Sequence, residues 1–288
     1  MISTERFCLN RKAAPGIKLD KTLDLISSLG VKNIELRNDL YGAPDNSSIM
    51  DNMSNADVKA GLQKNNVSIE TINAIGNMDK RSMVDENIKS LTEMLEMTKD
   101  LGLKNFVFCP VRSTDDTRSA EEKKSEAIAN VKEYSKVLKK YNVNGLIEPL
   151  GFTDSSLRTP WEGQAVIDGA GVDNFKLVAD SFHYYLANVT DQQFKEKVNI
   201  DYIGLVHLSS VFANKKRDDL DDQDRYMLGE DDVMQSAEHA QKIEASGYKG
   251  IYAFEPFSDD LKEWNEAKVK NELENSIKLV RDAENTLV

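Results

Sequence analysis

Three times in this 288-residue chain a helical stretch stops at a glycine, crosses a short turn and enters a brief apolar strand. The copies are SSLGVKNIELR, KDLGLKNFVFC and EASGYKGIYAFE. Gly30, Gly102 and Gly247 suit the left-handed position that ends a helix, because glycine has no Cβ to clash there. The IELR, FVFC and IYAFE runs are short and apolar, as expected of strands buried on both faces of a parallel sheet. Extending the pattern predicts eight strands: Arg6–Leu9, Asn33–Arg37, Ser68–Asn73, Asn105–Cys109, Gly145–Glu148, Phe175–Asp180, Gly204–His207 and Ile251–Glu255. Helical stripes lie between them, such as Leu19, Leu23 and Ile26, or Ile88, Leu91, Leu95 and Thr98. Ser54 or Asn55 is placed to cap the helix before Ser68, and Ser119–Tyr141 is one long helix-forming stretch. Eight alternating units in ~250–300 residues predict a (β/α)₈ barrel. The rival, a doubly wound open sheet, lacks the glycine-rich phosphate cradle of its nucleotide-binding versions. No linker or composition shift divides the chain, so residues 1–288 read as a single domain.

In such a barrel the chemistry sits at the carboxyl ends of the strands. The last four predicted strands end in GLIEP, KLVAD, GLVHL and YAFEP, offering Glu148, Asp180, His207 and Glu255. One acidic strand end is ordinarily a cap or a solvated charge. Four consecutive ones converging on one rim are a metal centre, since crowded carboxylates repel unless a cation neutralises them. This oxygen-rich set suits one divalent ion, Mn²⁺, Mg²⁺, Co²⁺ or Zn²⁺. Cys8 and Cys109 lie in apolar runs and read as buried reduced thiols outside the site. Arg37, at the end of the second strand, could meet a substrate oxygen with its planar fork, and Asn73 could bond a hydroxyl. His239 reads as a surface-helix residue with no task.

Charge and hydropathy bound the partners. The 37 basic against 49 acidic side chains give a net charge of -12, which repels a phosphate backbone, so no nucleic-acid partner is expected. No apolar run reaches the ~18 residues of a membrane span, and MISTERFCLNRKAAPG has no apolar signal core. A cytoplasmic location with no membrane partner is expected.

At these residues the sequence resembles the sugar phosphate isomerase/epimerase superfamily, the xylose isomerase-like TIM barrels, and within it the inosose isomerases most. The segments carrying the resemblance are RFCLNRKAAPG, VKNIELRNDL, ETINAIGNMD, GLIEPLGF, LVADSFHYY, GLVHLSS, DRYMLGEDD and YAFEPFS. The resemblance implies one divalent metal held by Glu148, Asp180, His207 and Glu255, the four residues reached above. It also implies that His183, in DSFH, contacts substrate oxygens, and that Arg225, kept in the DRYMLGEDD turn, binds substrate. That turn departs from the family pattern: Leu228 stands where a proline is usual and Asp231 where a glycine is. The substrate is therefore left open. The charged run KKRDDLDDQDR before it reads as a solvated loop.

The implied reaction moves a proton beside a ketone of a sugar or cyclitol through a metal-stabilised enediolate, with Glu148 and Glu255 as the acid/base pair. A hydride shift is the mechanistic rival. An inosose dehydratase-like lyase on the same metal site, or a non-catalytic sugar-binding barrel, are the functional alternatives. The superfamily's DNA endonucleases use more histidines than the three present here, His183, His207 and His239. The expected partner is a small sugar or cyclitol, and a homo-oligomer is compatible with the sequence.

Overall fold

The computed structural model describes residues 1–212 and 215–286. Eight parallel strands close on themselves in chain order: β1 Phe7–Asn10, β2 Asn33–Arg37, β3 Ser68–Ile75, β4 Asn105–Phe108, β5 Asn144–Ile147, β6 Phe175–Asp180, β7 Ile203–Leu208 and β8 Ile251–Phe254. The seam is the β1–β8 pair, with Phe7 beside Tyr252 and Leu9 beside Phe254. Around the barrel run helices α1 Leu19–Ser28, α2 Asn55–Asn65, α3 Val84–Met97, α4 Ala120–Tyr141, α5 Pro160–Ala170, α6 Ser181–Leu186, α7 Asp191–Lys197, α8 Ser236–Ala245 and α9 Glu266–Asp282. Among the described residues no helix is long and apolar enough to cross a membrane.

The local signals act as the sequence suggests. Gly30, Gly102 and Gly247 take φ of 77°, 75° and 106°, values that a Cβ disfavours. Ser54 caps α2 by accepting from the Asp57 N–H, and Ser119 with Glu122 forms a reciprocal capping box on α4. The two expected helical stripes point inward: Leu19, Leu23, Ile26, Leu91, Leu95 and Thr98 are buried.

Strand alternation then places the functional layer. Cys8, Val107, Leu146, Val178, Leu205 and Ala253 form an apolar plug inside the barrel. Two residues further along the same strands, on the same face, come Asn10, Cys109, Glu148, Asp180, His207 and Glu255. The plug thus seals the barrel beneath a polar layer at its carboxyl end. Burying that layer is costly unless every charge finds a partner.

His239 departs from expectation. It is half-buried on α8, its Nε2 is buried without a hydrogen-bond partner, and its ring meets Tyr184 edge-on at 5.7 Å. Burial pushes its pKa from 6.5 to about 4. A depressed histidine pKa adds stability above 6.5 that is lost as pH falls toward 4, on the order of 3 kcal/mol. His239→Gln is expected to remove that loss. Chemical denaturation of both proteins at pH 7 and pH 4 measures it, and equal pH dependence would contradict the assignment.

Candidate metal centre

Glu148, Asp180, His207 and Glu255 are all buried, and one ligand atom from each lies within 4.8 Å of the others. His207 Nδ1 sits 3.0 Å from Glu148 Oε1, 3.0 Å from Glu255 Oε2 and 3.7 Å from Asp180 Oδ2. Donors bound ~2.0–2.2 Å from a common ion lie about 3–3.5 Å apart, so the spacing fits a shared divalent cation. The set is oxygen-rich with one nitrogen, as a hard or borderline ion requires. Glu148 and Glu255 lie one residue beyond their strands, Asp180 ends β6 and His207 is the penultimate residue of β7.

Asp180 has a second task. Its Oδ1 accepts from the backbone N–H groups of Phe182 and His183, capping α6, while its Oδ2 faces the centre. His183 thus lies in the capped first turn of α6. It is buried, packs edge-on against Phe152 and Phe182, and its Nδ1 has no hydrogen-bond partner. The close approach of the preceding strand's loop depends on Gly151, where a Cβ would lie 2.0 Å from the His183 carbonyl oxygen.

The other expected binding residues surround Glu255. Arg37 Nη1 donates to its Oε1 at 2.5 Å, and Asn73 and Asn10 donate to the same oxygen at 3.2 Å each. Arg225 Nη2 donates to its Oε2 at 2.9 Å and to Asp180 Oδ2 at 2.7 Å. Both guanidiniums also stack on Phe257. Arg37, Asn73, His183 and Arg225 all line one cavity of about 140 Å³ that reaches Glu148 and Glu255. Among the described residues that line it, only His183 keeps a buried polar atom unpaired.

The two glutamates are held in opposite conditions. Burial raises the Glu148 pKa, and the nearby Glu255 charge adds to the rise. Burial would raise Glu255 too, but His207, Arg225 and Arg37 pull it well below the usual carboxylate range. Burial opposes the His207 charge, yet Glu255, Glu35 and Glu148 hold its pKa well above the ordinary imidazole value.

Several features escaped the sequence reading. Cys109 is no bystander: it lines the cavity, and its thiol, raised by burial, donates to Glu148 Oε2 at 3.6 Å. Glu35, inside IELR, is fully buried and lies 3.0 Å from His207 Nε2. The signal was available, because Glu35 shares the inward face of β2 with Arg37 two residues on. In the altered turn Leu228 is buried and its N–H donates to Ser276 Oγ, a bond the family's proline could not make. The charged run is solvated only in part, since Asp222 reaches the cavity. A larger cavity, about 860 Å³, opens at the opposite end around Glu70, Lys104 and Lys176. That is the amino end of the strands, where conserved chemistry is not built in such barrels.

Comparison with known proteins gives a consistent picture. The family model described as a xylose isomerase-like TIM barrel matches residues 23–281. An inosose isomerase of Halalkalibacterium halodurans is 23% identical over 229 residues, covering 78% of this chain and 79% of that one. A xylose isomerase domain containing protein of Salmonella typhimurium LT2 superposes with a TM-score of 0.89 at 34% identity, covering 98% and 99% of the two chains. The IOLI protein with a bound zinc atom superposes with a TM-score of 0.85 at 20% identity, covering 96% and 99%.

Proposed function

Because the chain belongs to the xylose isomerase-like TIM barrel family, we propose that it is a divalent-metal-dependent isomerase or epimerase moving a proton beside the ketone of a sugar or cyclitol. The observation that carries this reading is the convergence of Glu148, Asp180, His207 and Glu255 at the mouth of the barrel. The inosose isomerase relatives and the zinc-bound neighbour support the substrate class and the ion. When bound, a divalent ion supplies Lewis-acid stabilisation of the negative charge that develops as the proton leaves.

The remaining chemistry belongs to the side chains. Two carboxyl groups driven apart in pKa divide acid and base work between them. Glu255, held ionised by four donors, is the group that takes the proton, and Glu148, raised by burial, is the group that returns one. They reach the cavity from β5 and β8, so they approach a bound ketose from different sides. His183 Nδ1 is the free polar atom for a substrate hydroxyl. Arg37 and Arg225 fix the Glu255 carboxylate against rotation. The plug beneath shuts out water from below.

The test is a screen of inososes and ketoses in D₂O with Mn²⁺, Co²⁺, Mg²⁺ or Zn²⁺. Metal-dependent solvent deuterium at a carbon beside the ketone is expected. Loss of water from the substrate would instead assign a dehydratase, and binding without turnover a sugar-binding barrel.

A further inference from the structure

Glu35 contributes no atom to the ligand set, yet it is one of the most deeply enclosed charged groups of the barrel. Its Oε1 lies 3.0 Å from His207 Nε2 and accepts from Thr71 Oγ1 at 2.6 Å. Its Oε2 accepts from Asn10 Nδ2 at 3.1 Å. The orientation of Asn10 is itself fixed, because its Oδ1 accepts from the Lys12 backbone N–H. Asn10 can therefore only donate toward Glu35.

The two faces of the His207 ring thus meet different groups. Nδ1 faces Glu148, Glu255 and Asp180, while Nε2 faces Glu35 alone among these carboxylates. An imidazole can bind an ion through one nitrogen only if that nitrogen is free of its proton, and the hydrogen bond at the other nitrogen decides which one that is. We propose that Glu35 is the positioning residue of the metal centre: it holds the proton on His207 Nε2, so that Nδ1 is the ligating nitrogen. Thr71 and Asn10 serve it by fixing the carboxylate plane. The inference rests on the metal reading above.

The substitution Glu35→Gln separates this role from simple charge compensation. The amide must place its oxygen toward Asn10, which has only N–H groups to offer there. Its NH₂ then faces Thr71, whose hydroxyl can turn to accept, and His207 Nε2. Donating to Nε2 puts the imidazole proton on Nδ1, where the ion would sit.

Zinc affinity measured by chelator competition on the purified chain, together with imidazole ¹⁵N NMR, tests this. The wild type with Zn²⁺ should show a protonated Nε2 and a metal-shifted Nδ1 for His207, assigned by the signals lost in His207→Gln. Glu35→Gln should bind Zn²⁺ about 10–100-fold more weakly and, without metal, lose the Nε2–H signal that the wild type keeps. Thr71→Val, which leaves every charge in place, should weaken Zn²⁺ by a smaller factor of up to ~10-fold and provides the reading if Glu35→Gln does not fold. Zinc on Nε2 in the wild type, or folded variants with wild-type affinity, would overturn the role of Glu35 while leaving the metal centre standing. A wild type that binds no Zn²⁺ would overturn both.

Discussion

Glu255→Gln is expected to lose ~10²–10⁴-fold in turnover, the usual cost of removing an acid/base group, and not to recover when metal is raised until the site refills. The variant keeps an oxygen for the ion but exchanges a charged ligand for a neutral one, so metal binds more weakly and still binds. A carboxamide cannot accept the substrate proton. The structure adds a further cost. Four donors converge on this carboxylate: Arg37, Asn10 and Asn73 on Oε1 and Arg225 on Oε2. Whichever way the amide turns, its NH₂ confronts donors, so some stability is lost as well. Activity against metal concentration, with occupancy and folding followed in parallel, decides the matter. Recovery in step with occupancy would confine Glu255 to binding the ion and shift the base to His183.

Arg225→Met is expected to cost the metal-free protein ~3–5 kcal/mol, as removing one partner of a buried ion pair does. For a chain of this size that lowers Tm by roughly 10 °C. The guanidinium is buried and answers both Asp180 Oδ2 and Glu255 Oε2, so its loss leaves two enclosed carboxylates short of a cation. The same loss makes the centre more negative. Saturating divalent metal binds only the native state and neutralises the same charges, so it should raise Tm more in the variant than in the wild type. Thermal melts with and without Zn²⁺ give both numbers. An equal metal-induced rise in the two proteins would mean that Arg225 and the ion do not answer the same charges.

The barrel was legible because its signals are local. A glycine that ends a helix and a short apolar strand after it need no knowledge of the rest of the chain, and β2 and β6 match the expected bounds at both ends. The strand-end residues were legible too, since one simple rule sends them to the same rim. What the sequence hid depends on where inward-facing residues of distant strands meet. Glu35 lies mid-strand, so attention to strand ends passed over it, and its partner His207 is 172 residues away. Arg37, Asn73 and Arg225 line the cavity, and what the sequence did not show is that Glu255, Asp180 and Asp39 also engage them. His239 reads as a surface-helix residue because the sequence does not register the Tyr184 ring from α6 that it meets edge-on.

The provenance of the polar layer has a consequence for the order of events during synthesis. Every proposed ligand comes from β5 to β8, whereas Asn10, Glu35, Arg37, Thr71 and Asn73, which orient His207 and Glu255, come from β1 to β3. The early half of the chain emerges with the scaffolding and nothing to scaffold. The late half carries the grasping groups and, of the orienting ones, Arg225. Glu255 leaves the last strand and receives its three Oε1 donors, Asn10, Arg37 and Asn73, from the first three strands, across the β1–β8 seam. The fully oriented set is therefore assembled only when the final strand docks against the first.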